Sequence, residues 1–480
     1  MGEMSSPATI TKTVFKATRL FTGTQAVGVL GSVVRTKLIA VLIGEAGIGL
    51  FGLFNNAVDL IGALTQMNLR SSAVREVSAL SEKDDRKALA RMIATVRRWG
   101  WILGLFGAIV MAAASPLLSL SAFGTPSTVM PFLLLSAAML FNSASEAEKA
   151  VMQGLRQLTP LAKAMTWGVV AGCLISLPMI WFWRIDSVAP VILAYSLSVF
   201  AVTWLFRDRT APCPEPPRLR QSLETGRSFM KLGFFMTVSS ASALGCSYIF
   251  LTWLNASAGT DVMGEYQAGY TLIIKYAGFL FTAIGLEYFP RMSAAAVHGI
   301  RRLRVFMKHE LRMLTLMTAA FVALLTAFAP WIVRLLYSGA FVPAAAMVQW
   351  GAPGIVLRAA SVCVAFVILA KGDGSTYLKC EVTSSIVGLM LNVAAFSLWG
   401  VPGAGVSYTV WYLFYFLMVS LVVRRRYGIA CGSRLLALVG LCTGGVLAVS
   451  LCALFFGMFV ALPIALLLLL LSVLFLRRRR

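Results

Sequence analysis

The stretch AGIGLFGLFNNAVDLIGALTQM (46–67) carries a single charge, Asp59. It runs into NLRSSAVREVSALSEKDDRKALARMIATVRR (68–98), which holds eight Lys and Arg. WGWILGLFGAIVMAAASPLLSLS (99–121) then carries no charge at all. About 20 mainly apolar residues suffice to cross a bilayer, and Lys and Arg collect in the gaps on the cytoplasmic side. The triplet therefore reads as span, cytoplasmic loop, span.

The same alternation extends in both directions. We read fourteen spans: 20–43, 46–67, 99–121, 129–152, 164–183, 188–206, 232–254, 264–289, 313–337, 343–370, 381–399, 401–423, 435–456 and 458–476. Alternate gaps, together with the two termini, hold 35 of the 42 Lys and Arg. The opposite gaps hold Arg184, with Arg334 near the outer end of its span. This predicts an all-α polytopic membrane protein of about 14 transmembrane helices with both termini in the cytoplasm.

Composition agrees. The chain is 480 residues long, 59% hydrophobic and 13% charged, with a mean hydropathy of +0.82. A soluble chain is about half apolar and a quarter charged. The net charge of +23 then reports loop cations facing a cytoplasm and an anionic leaflet, rather than nucleic acid. No basic stretch is interleaved with exposed aromatics. The eight Cys form no CxxC, and the two His, His298 and His309, have no partner at ligand spacing. Neither a disulfide framework nor a metal site is expected. The first span contains Arg35 and Lys37 and no small-residue cleavage site, so it reads as a retained helix.

The proline-rich APCPEPP (211–217) lies near the midpoint and favours extended backbone. It divides the chain into an N-terminal six-helix bundle (1–206), a cytoplasmic linker (207–231), a C-terminal six-helix bundle (232–423) and an additional helix pair with a basic tail (424–480). At an offset of 216 residues, Asp59, Gly62, Arg75 and Arg86 align with Lys275, Gly278, Arg291 and Arg302. Both halves start inside, so the repeat is parallel, about an axis along the membrane normal.

Five cations lie inside spans: Arg35, Lys37, Lys149, Lys275 and Arg358. A charge at the bilayer centre costs about 2.5–3.5 kcal/mol and marks a wet or protein-lined interior. Arg35 and Lys37 are about 200° apart on a helix, so Arg35 is expected to face a cavity while Lys37 snorkels outward. Lys275 is similarly deep, and Arg358 follows the helix-breaking Gly351-Ala-Pro353-Gly354. Together Arg35, Lys275 and Arg358, with Lys37 nearby, are candidate contacts for an anion such as a diphosphate. Asp59, near mid-depth, shares a helix face with Asn55. It is either a coupling carboxylate for H⁺ or Na⁺, or a structural partner of Arg35. Glu146 and Lys149, three residues apart, are expected to neutralise each other. No Walker-type loop, HExxH motif or large outer loop with paired carboxylates is present. The chain reads as a carrier rather than an enzyme, without a cofactor beyond a coupling ion.

Some residues resemble a known family: Gly44–Leu50 leading into the second span, Met152-Gln-Gly-Leu-Arg156, Ala370-Lys371 with Tyr377 and Glu381-Val382, Gly403-Ala-Gly405, and Tyr412 with Tyr415-Phe416. From about residue 20 to about 427 the chain resembles the polysaccharide-transporter (Wzx-type) branch of the multidrug/oligosaccharidyl-lipid/polysaccharide (MOP) superfamily, above all the lipid III and O-antigen flippases. The resemblance implies two bundles around a central cavity, alternating access, and passage of an undecaprenyl-diphosphate-linked oligosaccharide to the periplasmic leaflet of a Gram-negative inner membrane. It implies a polysaccharide polymerase and a chain-length regulator as partners. The pair 435–476 departs from the twelve-span type and is closer to the lipid II flippases. A cation-coupled multidrug exporter of the same superfamily is the alternative, and a non-transporting scaffold a third reading.

Overall fold

A computed structural model of the chain describes residues 28, 30–66, 69–81, 86–125, 128–155, 157–207, 219–276, 278, 292 and 299–477. Among these every regular element is helical. The helices are α1 (30–42), α2 (Glu45–Gln66), α3 (Leu69–Ser81), α4 (Arg86–Phe123), α5 (Val129–Gly154), α6 (Leu158–Trp183), α7 (Val188–Leu205) and α8 (Leu219–Tyr270). They continue as α9 (Ile300–Ala327), α10 (Ala329–Leu336), α11 (Pro343–Ala370), α12 (Gly374–Tyr427), α13 (Ser433–Phe455) and α14 (Met458–Arg477). Nine continuous helices among the described residues are long and apolar enough to cross a membrane, and several of them hold two expected spans end to end.

The joints within α8 and α12 are glycines, while Arg184 (φ 44°) stands at the joint between α6 and α7. Gly259 (φ 87°) breaks α8 and Gly400 (φ 62°) breaks α12. A residue with a Cβ resists such angles. The two arms of α12 fold back on each other. Asn392 accepts from Ser407, Trp411 donates to Ser384 at 2.9 Å, Tyr415 donates to Glu381, and Tyr427 donates to Asp373 at 2.8 Å. Pairs nested in this way about Gly400 define an antiparallel hairpin.

The chain divides into two units, Met1–Leu244 and Gly245–Arg480. The expected boundary lay in 207–231, but helix α8 already begins at Leu219. The last proline of the linker is Pro217, and nothing beyond it prevents helix formation. Helices α4 and α9 each begin thirteen residues ahead of the expected span, at Arg86 and Ile300. The basic segments that open them are made of strong helix formers. In the first unit α4 packs closely on α5 and α6 on α7; in the second the α12 hairpin packs on α11. The additional pair is part of the second unit: α13 lies against α9 and α11, and α14 against α9.

Pro353 lies inside α11 and removes one donor from its ladder. A side chain from α12 repairs the neighbourhood. Thr409 Oγ1 accepts from the Gly354 N–H at 3.2 Å and donates to the Trp350 carbonyl at 2.7 Å. One hydroxyl thus satisfies two backbone groups that water cannot reach in a bilayer. This splice sits one turn before Arg358.

Candidate functional site

In the first unit a cavity of about 580 Å³ opens between α2, α3, α5, α7 and the start of α8. Asp59, Gln66, Arg70, Asn142, Glu146 and Lys149 line it, together with Ser143, Ser145, Thr237 and Ser240; the hydroxyl oxygens of Ser143, Ser145 and Thr237 are themselves buried. Its charges form a chain. Arg70 Nη1 is 3.1 Å from Glu146 Oε2, and Lys149 Nζ pairs with Glu146 Oε1. Arg70 also donates to Gln153 Oε1 at 3.2 Å and 3.3 Å. The expected Glu146–Lys149 pair therefore forms, but as two cations about one carboxylate. Two residues on from Glu146, Glu148 lies 2.9 Å from Arg97 Nε, and its side chain is 4% exposed. That pair braces α4 against α5 outside the cavity.

Asp59 lines this cavity with an exposed side chain. Arg35 is elsewhere. Its guanidinium stacks 4.3 Å from the Tyr195 ring and 4.9 Å from the Phe51 ring, and its buried Nε has no hydrogen-bond partner. Phe51 lies eight residues before Asp59, about 12 Å along the helix axis, so the stack places Arg35 a different depth away rather than beside Asp59. Cys173 Sγ donates to the Gly31 carbonyl at 3.3 Å and brings α6 onto the same face of α1. Asn55 does not join Asp59 in lining the cavity; its amide donates to the Phe51 carbonyl at 2.7 Å. Lys37 is half-buried on α1.

The second unit holds a separate polar knot. Arg358 Nη1 meets the Tyr408 hydroxyl at 3.5 Å, and its guanidinium is 5.8 Å from the Tyr412 ring. Tyr408, Tyr412 and Tyr415 follow at helical spacing, with ring centroids 4.7 Å and 6.2 Å apart. Tyr415 donates to Glu381, and Tyr377 bonds the same carboxylate from one turn earlier. A cation and an acid in the membrane interior are thus joined through a row of tilted and edge-on phenol rings rather than in direct contact. Lys275 falls in a π-helical turn, Thr271–Tyr276, and its side chain lies outside the described residues.

Sequence reasoning placed Arg70 among loop cations, yet it lines the cavity. Residues 67–68 are all that separates α2 from α3, and that proximity was the available signal. Glu381 and Tyr408 went unread as site residues. The spacings 377/381 and 408/412/415 each fall on one helix face. Among the described residues no cluster of His, Cys, Asp and Glu could hold a metal ion.

Residues 38–346 match the family model for polysaccharide biosynthesis proteins. The chain belongs to this family. The matched range contains the whole cavity and ends before the Arg358 knot. Over 404 residues the chain is 23% identical to the lipid III flippases of Escherichia coli (strain K12) and Shigella flexneri, covering 81% of this chain and 94% of each relative. Its fold is that of MOP transporters. An inward-facing multidrug resistance MATE family transporter superposes with a TM-score of 0.70 at 14% identity, over 85% of this chain and 94% of that one. The lipid II flippase MurJ in an inward closed conformation gives 0.67 at 12% identity, over 97% and 99%. The chain is a multi-pass inner membrane protein.

Proposed function

We propose that this protein is a flippase that carries a diphosphate-linked oligosaccharide on a polyprenyl lipid from the cytoplasmic to the periplasmic leaflet by alternating access, for the assembly of a surface polysaccharide. Arg35 carries the reading. A guanidinium stacked between two rings is pre-oriented, and its N–H edge stays available to a phosphate. Arg358, oriented by Tyr408 and Tyr412, supplies a second such cation in the other unit. Lys275 and Lys37 are the further anion contacts in this scheme. The Gln66 and Asn142 amides and the charged groups lining the cavity suit sugar hydroxyls, and its volume is that of a small-ligand pocket.

Asp59 is the coupling group in this proposal, taking H⁺ or Na⁺, with Asn55 shaping its helix face. A polysaccharide polymerase and a chain-length regulator are the expected partners downstream. The chain does no covalent chemistry of its own.

The test is transport of a fluorescent prenyl-diphosphate glycan in reconstituted vesicles, with and without H⁺ and Na⁺ gradients. Arg35→Ala and Arg358→Ala should insert normally and lose transport. Asp59→Asn should lose the dependence on one gradient. If both arginine variants transport at the parent rate, the diphosphate site is wrong. If cationic drugs are exported instead, the chain is a drug exporter.

A further inference from the structure

Among the described residues four cations pair with acids. Arg70 and Lys149 share Glu146, Arg97 meets Glu148, and Arg426 Nε lies 2.6 Å from Asp373. The junction that holds this last pair carries more cations than its one carboxylate offsets. The loop 428–432, between α12 and α13, turns its odd residues inward: Ile429 and Cys431 are buried with Leu303, Met307, Val423 and Val439. Arg304 fixes the loop by donating to the Gly428 carbonyl at 2.8 Å. One turn on, Lys308 Nζ lies 3.6 Å from where a Cβ on Gly432 would stand. Arg301 shares that helix face, three residues before Arg304. Arg424 and Arg425 end α12 just before the loop, and Arg434 opens α13 just after it.

Lys308 thus lies against this short loop, Arg301 shares its helix, and Arg424, Arg425 and Arg434 stand on the helix ends that flank the loop; none of the five is paired with a carboxylate among the described residues. Crowding like charges is unfavourable, so the arrangement calls for an anion from outside the chain. The helices that bound the junction turn apolar side chains outward immediately beyond it, Leu421 (46% exposed) on α12 and Leu436 (43%) on α13. A cationic rim continued by lipid-exposed apolar helix matches an amphiphile, not a soluble anion or an acidic protein face.

We propose that the α9–α12–α13 junction binds the phosphodiester headgroup of an anionic membrane phospholipid. The site is distinct from the cavity and from Arg35 and Arg358, and it gives the additional helix pair a role as a lipid anchor.

The experiment uses purified full-length protein in a neutral detergent. Phosphatidylglycerol, cardiolipin, phosphatidylethanolamine and inorganic phosphate are titrated separately, read by native mass spectrometry and by the thermal midpoint. The two anionic lipids should be retained and raise the midpoint; phosphatidylethanolamine and phosphate should do neither. A surface cation contributes about 1 kcal/mol, or about fivefold, to anionic-lipid binding, so the pair Lys308→Gln/Arg434→Gln should weaken it by roughly 30-fold. Arg184→Gln/Arg334→Gln, which removes the same charge elsewhere, should leave binding unchanged. Arg424→Gln/Arg425→Gln, at an exposed helix end, repeats the test should the first pair fail to fold. Equal retention of phosphatidylethanolamine, an equal effect of phosphate, or equal loss in the charge-matched control would each overturn the proposal.

Discussion

Replacing Gly354 with alanine tests how the break in α11 positions Arg358. A Cβ on Gly354 would lie 2.6 Å from Tyr408 Cδ1, 2.9 Å from Thr409 Cα and 3.1 Å from Thr409 N. Two of these are backbone atoms, so relief requires the helices to part. Reaching 3.4 Å from Thr409 Cα takes a shift of about 0.5 Å, which stretches the Gly354 N–Thr409 Oγ1 bond from 3.2 Å to about 3.7 Å. The Thr409–Trp350 bond, at 2.7 Å, survives the same shift. One backbone N–H is orphaned, at about 1–3 kcal/mol, and overpacking adds about 1–3 kcal/mol. We expect Gly354→Ala to lower the thermal midpoint by on the order of 5–10 °C, measured in detergent by thiol-reactive dye or light scattering. The Tyr408 ring moves with the clash, so transport should also fall. Thr409→Val removes the same acceptor, so the double variant should cost less than the sum of the single ones. A harmless Gly354→Ala, or strict additivity with Thr409→Val, would refute the reasoning.

Two further outcomes follow from the ion pairs. Asp373 caps α12 through Thr376 N and receives Ser375, Thr376 and Tyr427 hydroxyls and Arg426; desolvation pushes its carboxyl up, but those hydrogen bonds outweigh it and hold it well below the usual carboxylate range. Its contribution is present above the unfolded pKa near 4 and is lost as pH falls towards the depressed folded value, so the parent's midpoint should drop below about pH 4 and the Asp373→Asn midpoint, lower at neutral pH, should change less over that range. Glu146→Gln leaves Arg70 and Lys149 without their shared, partly exposed carboxylate and should destabilise by about 1–3 kcal/mol; adding Lys149→Met should recover part of the loss, and no recovery would mean the triad does not act as a unit.

The helices were legible because apolar length and loop cations are one-dimensional signals, as residues 46–121 illustrate. Side-chain direction is not such a signal. Asp59 and Glu146 stood out as charges in apolar runs, and both line the cavity. Arg35 also stood out, but only the fold reveals Phe51 and Tyr195 against its guanidinium. Glu381 opened an expected span and carried only the family resemblance. Its burial depends on Tyr415, 34 residues away across the Gly400 turn. Hydropathy carries no record of such a partner. Arg70 reads as a loop cation for a related reason, since charge counting records only that it follows an apolar run.

The single-glycine turn at Gly400 has a consequence for biogenesis. The arms of α12 are joined without a polar loop, so no hydrophilic segment at that end has to be carried through the bilayer. With Asp373 fastening the opposite ends to each other, the hairpin can enter the membrane as one prefolded insertion unit, and at its tip it offers proteases and antibodies almost nothing to seize.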